Sequence, residues 1–475
     1  MKNLKWKKAG SAVLATALAG SMVLPATAYA QGEIVQLEGG TSTQTNTAPE
    51  QVFLNKYSGT VRTQNFNDNW KFYLGDASGA QTPAFDDSSW DQVNLPHDYS
   101  IDQKYNRSMD GESGYLPGGT GWYRKSFTVD KSLEGKRISI DFGGVYMNAT
   151  IYVNGKKLGT HPYGYTPFSF DITDNVKFGK ENVIAVKVDH QTPSSRFYSG
   201  SGIYRDVDFV VTDTVHVDKN GTKIETPDLK EHVDGNNVAV KVKTTVVNES
   251  ERDASVKVKH TIYPKNGTAE QAVATFESQE AVAVEKGKSK DVSADFTASG
   301  VQLWSTTTPN LYTVKTEVLM DGATVDTYET DYGFRYFAFD KNNGFTLNGQ
   351  KMKLQGVCMH HDQGALGSVA NDRSTERQVE ILKMMGCNSI RVTHNPASDE
   401  LIDACNKHGI LVIDEAFDGW VAPKNGNSND YAKWFNKEIE SDNEIMGAAD
   451  NMTWAQFDLT AMIERGQNDP AIIMW

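Results

Sequence analysis

Cysteine is scarce in this chain, with three among 475 residues. Cys358, Cys387 and Cys405 include no C-x-x-C pair. That excludes a disulfide framework and a cysteine-based zinc site. All three sit among apolar neighbours in sequence and read as small buried hydrophobes. Basic blocks are missing beyond the first few residues, and the net charge is -14. Nucleic acid and anionic membrane surfaces are therefore excluded as partners. Beyond the N-terminus no apolar run reaches the length of a membrane span.

The N-terminus has the one apolar run of note. Lys2, Lys5, Lys7 and Lys8 precede an Ala- and Gly-rich stretch over residues 9–24, broken by Pro25. Ala28-Tyr29-Ala30 has the small-residue pattern of a cleavage site. Residues 1–30 are a predicted secretory signal peptide, cleaved near Ala30, which points to an exported protein. Residues 31–56 begin with a Thr-, Gln- and Gly-rich stretch without periodicity and read as a flexible linker.

Residues 57–215 have an all-β pattern. Apolar residues alternate along 137–142, and Ile151-Tyr152-Val153 runs into Asn154-Gly155, a strong hairpin signal. Short strands of this kind predict a jelly-roll sandwich. Residues 216–335 alternate again, at Val238, Val240 and Val242 and at Val256 and Val258, and suit an immunoglobulin-like sandwich.

After Tyr336 the rhythm becomes strand, helix, strand. Strands are predicted at 352–357, 388–392, 410–414 and 471–475, and helices at 374–385, 398–407 and 452–465. Ser374 is the expected cap of the first helix. Strands apolar on both faces, alternating with helices, mean a parallel sheet covered by helices. Residues 336–475 thus read as half of a (β/α)₈ TIM barrel. An open half-barrel leaves an apolar edge unpaired, so further chain is expected.

Polar clusters begin where these strands end. They are Cys358-Met359-His360-His361-Asp362, then Arg391-Val392-Thr393-His394-Asn395, then Asp414-Glu415-Ala416-Phe417-Asp418-Gly419-Trp420. In a barrel such loops converge on one mouth. A neutral imidazole donates on one nitrogen and accepts on the other, which matches paired sugar hydroxyls, and Trp420 offers an apolar face to a sugar ring. Metal ligation by His360, His361 and Asp362 is disfavoured, because adjacent residues rarely converge on one ion. Asp414 and Glu415 point to opposite faces of their strand, so they cannot both serve one substrate atom, and one of them is expected to be structural.

At these residues the chain resembles glycoside hydrolase family 2, and within it the bacterial secreted or cell-surface β-galactosidases. The first β domain has Leu95-Pro96-His97-Asp98-Tyr99, Gly118-Gly119-Thr120-Gly121-Trp122-Tyr123-Arg124 and Ser195-Arg196-Phe197-Tyr198-Ser199-Gly200-Ser201-Gly202-Ile203-Tyr204-Arg205. Leu303-Trp304-Ser305 and Gly333-Phe334-Arg335 resemble the end of the family's second sandwich and the approach to its barrel. The resemblance implies a retaining β-glycosidase with two carboxylates about 5–5.5 Å apart. Trp475 is similar to the Trp that opens the family's acid/base motif. Both catalytic glutamates are accordingly expected after Trp475, none within this chain, and the chain alone is expected to be inactive. The resemblance further implies that His360 and His394 contact the sugar, and that Asp98 and Arg196 reach the terminal-sugar pocket. In the magnesium-dependent branch a Glu and a His occupy positions where this chain has Asp418 and Trp420. No metal and no cofactor are expected.

The expected substrate is a terminal β-galactoside of a glycan or lactose, and the expected partner is that oligosaccharide. A β-glucuronidase or another family 2 β-glycosidase is the alternative within the class. A non-catalytic carbohydrate-binding protein is the alternative outside it.

Overall fold

The computed structural model describes residues 62–475 together with the backbone of a short strand at Gln51–Phe53. The signal peptide and most of the linker lie outside the described residues. Gln51–Phe53 falls in the stretch read as linker, yet it pairs parallel with Phe127–Val129 of the first sandwich.

The first β domain is two facing sheets. One is ordered Asp91–Val93, Trp70–Leu74, Gly119–Val129, Glu181–His190, Ala149–Val153, Lys156–His161. The other is ordered Phe168–Asp171, Arg137–Phe142, Val207–Thr212, Thr63–Asn65. The alternation along Arg137–Phe142 is realised, with Ile138, Ile140 and Phe142 fully buried. Asn154 and Gly155 both have positive φ, 50° and 89°, and turn the hairpin as their types allow. Phe66, Trp70, Tyr123 and Phe127 fill the space between the sheets.

The second sandwich packs Val215–Glu225, Val238–Asn248 and Lys288–Ala298 against a sheet built on Ala254–Pro264, Tyr312–Met320 and Ala323–Tyr332. Trp304, ahead of the domain's last two strands, is fully buried, and its indole donates to the Asn406 carbonyl of the barrel at 2.9 Å.

Four parallel strands follow in sequence order: Gly356–Met359, Ser389–Val392, Leu411–Ile413 and Ile472–Met474. Helix α1 (Asp372–Met384), α2 (Asp399–His408) and α3 (Trp454–Gly466) connect and cover them. The first strand lies later than the sequence reading had it. Gly356 permits that pairing, since an added Cβ would stand 1.7 Å from the Ser389 carbonyl oxygen. Helix α1 also begins earlier than its Ser374 cap implied. The Asn371 side chain accepts from the Ser374 N–H and is the cap. Ser398 caps α2 and Gly409, at φ 68°, ends it.

Residues 414–453 are the largest departure from simple strand–helix alternation. They lie across the first sandwich, and Phe417, Tyr431, Phe435 and Ile445 join its apolar core. The Asn443 side chain donates to the Thr160 carbonyl at 2.8 Å.

Candidate active site

The ends of the first three barrel strands and one loop of the jelly roll form a single mouth. The jelly-roll loop contributes Arg196 and Phe197. Phe197 lies against both strand-end histidines, its ring centroid 4.1 Å from that of His360 and 5.3 Å from that of His394. The two imidazoles are 5.8 Å apart at an interplanar angle of 81°. Partial burial, then the neighbouring His394, hold His360 below the usual histidine range. His360 is therefore a neutral donor–acceptor at pH 7, the form that suits hydroxyl groups.

The three acids after the third strand, Asp414, Glu415 and Asp418, each have a defined partner. His394 Nδ1 is 2.8 Å from Glu415 Oε2, and Arg391 Nε donates to Glu415 Oε1 at 2.5 Å. Asp414 points the other way, as its neighbour requires. It is fully buried, accepts from the Ala397 N–H at 2.9 Å and is paired with Arg465 at 3.1 Å. Asp418 takes Arg196 in a bidentate grip, Nε at 3.0 and 2.9 Å and Nη2 at 2.8 Å. That grip raises the Arg196 pKa further and joins the jelly-roll loop to the third barrel loop.

His361 does not join His360 in the mouth. Its Nε2 lies 3.1 Å from the Ser199 carbonyl oxygen and its ring packs on Tyr165 and Tyr204. Burial pushes its pKa down to about 4. The two histidines thus diverge, against a shared metal ion.

Asp98 is likewise turned inward. It is 1 % exposed and accepts from the N–H groups of Ser100, Ser201 and Ser368, from the Ser368 hydroxyl and from the Tyr198 hydroxyl. Ser368 belongs to the loop after the first barrel strand, so Asp98 ties two domains beneath the mouth. Any effect of Asp98 on a sugar would act through Tyr198 and that loop. Arg205, also buried, donates to the carbonyls of Tyr165, Pro396 and Ala397 and makes a second tie.

Of the four expected sugar contacts, the structure therefore brings together His360, His394 and Arg196 and holds Asp98 apart. Phe197 and Glu415 complete the group without having been assigned a role from sequence. Glu415 had a legible signal, as one of two adjacent strand-end acids that must face opposite ways. Phe197 had none beyond lying in a recognisable motif. The thiols also divide. Cys405 is buried as expected, but Cys358 is exposed, with Arg391 Nη1 3.6 Å from its sulfur. Cys358 shares the inner parity of its strand with Arg391, which apolar neighbours in sequence do not reveal.

Among the described residues one group has metal-ligand spacing, Glu376, Glu380 and His408. Its carboxylates already hold Lys407, His408 and Arg373 at 2.6–3.1 Å, and it lies on the helices away from the mouth.

Comparison with known proteins follows the same domain order. Residues 63–213 match the glycosyl hydrolases family 2 sugar binding domain, residues 222–335 the family 2 model, and residues 340–475 its TIM barrel domain. The chain belongs to glycosyl hydrolase family 2. Its similarity to Beta-galactosidase BoGH2A of Bacteroides ovatus is 42% identity over 413 residues, covering 86% of this chain and 45% of that protein. A putative beta-glucuronidase of Formosa agariphila is 35% identical over 86% of this chain and 37% of its own length. Among solved structures, a family 2 member from Bacteroides cellulosilyticus superposes with a TM-score of 0.78 at 38% identity, over 87% of this chain and 51% of that one. Bacteroides uniformis beta-glucuronidase 2 does so with a TM-score of 0.72 at 30% identity, over 87% and 46%. The family 2 chain described here spans about half the length of these relatives or less.

Proposed function

We propose that this chain supplies the terminal-sugar side of a secreted, retaining β-galactosidase. His360 and His394 bond hydroxyl groups of the terminal galactose, and Phe197 backs the two imidazoles. Arg196 and Asp418 wall the pocket from the jelly-roll side. Glu415 and Asp418 are committed to cationic partners, so neither is assigned as the acid/base or the nucleophile. In a retaining glycosidase those two carboxyl groups stand about 5–5.5 Å apart across the scissile bond.

The observation that carries the galactoside reading over the glucuronide one is the state of the cations. A glucuronate carboxylate needs an uncommitted cation within reach. Among the described residues of the mouth, Arg196 is matched by Asp418 and Arg391 by Glu415. Both charges are spent, which favours a neutral sugar. The similarity to a protein named as a beta-galactosidase supports the same reading, while relatives named as beta-glucuronidases define the competitor.

Calorimetric titration of the chain with methyl β-D-galactoside and with methyl β-D-glucuronide tests it. The galactoside is expected to bind at least about tenfold more tightly, the equivalent of about 1.4 kcal/mol. Tighter binding of the glucuronide would overturn the assignment. Asp418→Asn, which frees Arg196, is expected to narrow the gap.

A further inference from the structure

The jelly-roll segment that carries Arg196 and Phe197 to the mouth leaves the strand Glu181–His190 and ends at the short strand Gly202–Ile203. One side chain holds both ends of the loop between them. His190 Nε2 lies 2.9 Å from Ser194 Oγ, and its Nδ1 lies 2.6 Å from Ser201 Oγ. The imidazole thus spans the base of the loop 194–201, and all three residues are buried.

The order of hydrogen bonds around that ring is fixed from its far end. The Pro117 carbonyl can only accept, and it takes the Ser100 hydroxyl hydrogen at 3.0 Å. Ser100 Oγ therefore accepts from Ser201 Oγ at 2.5 Å, and Ser201 Oγ accepts from His190 Nδ1–H. The other ring nitrogen, Nε2, accepts from the Ser194 hydroxyl, whose oxygen accepts from Tyr146 Oη at 3.1 Å. This run of bonds needs the neutral imidazole with its hydrogen on Nδ1. Burial pushes the His190 pKa down to about 4, in keeping with that form. Packing holds the ring as well. Tyr146 lies edge-on to it, centroids 4.8 Å apart, and a Cβ added at Gly118 would stand 2.9 Å from Nδ1.

The loop's other contacts do not tie its two ends together. Asp98 accepts from the Ser201 N–H and from the Tyr198 hydroxyl, so it fixes the second half alone. Asn429 donates to the carbonyls of Thr192 and Pro193, ahead of the loop. We propose that His190 is a positioning residue for the mouth. As a two-sided clamp it sets the width of the loop base, and through it the place of Arg196 against Asp418 and of Phe197 against His360 and His394. The inference rests on the terminal-galactose reading of the mouth and adds the group that holds its jelly-roll wall.

Hydrogen exchange of the unliganded chain and calorimetric titration with methyl β-D-galactoside test it together. His190→Phe keeps a ring of comparable size and removes both bonds. Amides of residues 194–201 are expected to exchange faster in it, while those of residues 184–188 keep their protection. Galactoside affinity is expected to fall roughly tenfold. His190→Gln, which can both donate and accept, should recover part of each change. A role in stability alone would lower the thermal midpoint and leave affinity, read well below that midpoint, where it was. Ser194→Ala is the milder variant. It is expected to weaken binding roughly threefold in the wild type and no further in His190→Phe, because the two substitutions remove the same bond. Unchanged exchange at 194–201 or unchanged affinity in His190→Phe overturns the clamp, and so does either result in Ser194→Ala if His190→Phe does not fold. A wild type that prefers methyl β-D-glucuronide sinks the galactose reading, and the variants are then compared on the glucuronide with the same two outcomes. Binding of neither sugar overturns both.

Discussion

Glu415 holds His394 through Nδ1 at 2.8 Å while its second oxygen holds Arg391. A carboxylate on Nδ1 keeps the hydrogen on that nitrogen and leaves Nε2 as the free atom for a ligand. It also sets the ring plane against Phe197. Removal of Glu415 therefore releases both the tautomer and the orientation of His394.

Glu415→Ala is expected to weaken methyl β-D-galactoside binding about tenfold, the scale of one hydrogen bond to a charged group. Glu415→Gln, which can still accept from Nδ1, should lose less. Equal affinity in wild type and Glu415→Ala, read by calorimetry, would show that His394 is positioned by packing alone.

Asp98 is a stability residue by its geometry. Truncation to alanine strands several buried donors from two domains. A loss of about 3 kcal/mol is expected, because each buried donor left unpaired costs about 1–3 kcal/mol. For a domain of 150–250 residues each kcal/mol lowers the thermal midpoint by roughly 2–4 °C. Asp98→Asn keeps one acceptor oxygen and should lie between. An unchanged midpoint in Asp98→Ala would contradict the clamp.

Asp208 gives a pH-dependent signature. It pairs across strands with Asp141, and burial first, then Asp141, push its pKa from 3.8 up to about 7. The folded state therefore holds a proton that the unfolded chain releases near pH 4. Stability from this group is complete below about pH 4, falls as pH rises toward 7, and is lost above it. Asp208→Asn should consequently match wild type near pH 4 and exceed it at pH 8, by about 1–3 kcal/mol. Thermal melts at the two pH values decide it, and a gain at pH 4 alone would reverse the sign.

The three thiols should separate by rate. Cys358 is exposed, Cys387 half-buried and Cys405 fully buried, with burial pushing the Cys405 thiol well above its usual pKa. Titration with a chromogenic disulfide is expected to modify Cys358 first and Cys405 only after unfolding. Rapid reaction of Cys405 in the native chain would count against its packing.

Much of this organisation was legible from local pattern. The alternation at residues 137–142, the Asn154-Gly155 turn and the α2 span between Ser398 and Gly409 are short-range signals, and each element formed where they pointed. Other details escaped because a neighbour distant in sequence decided them. Asp98 reads as a loop carboxylate until Ser368, 270 residues away, donates to it. The first barrel strand shifts because its register is set by Ser389–Val392. Glu415 was visible as one of two adjacent acids on opposite faces, but which of them faces inward, and its partner His394, are strand-pairing consequences.

Hydrophobic period and turn chemistry act within a few residues, so the class of each domain and the convergence of three polar strand ends can be read locally. Which of those polar groups meet depends on contacts between domains. The jelly-roll segment 193–205 crosses to the barrel through Arg196–Asp418 and Arg205, and residues 414–453 cross back onto the jelly roll through Phe417, Tyr431 and Ile445. The mouth is the product of those two crossings. Their partners are set by burial and charge matching between domains, which no local pattern encodes.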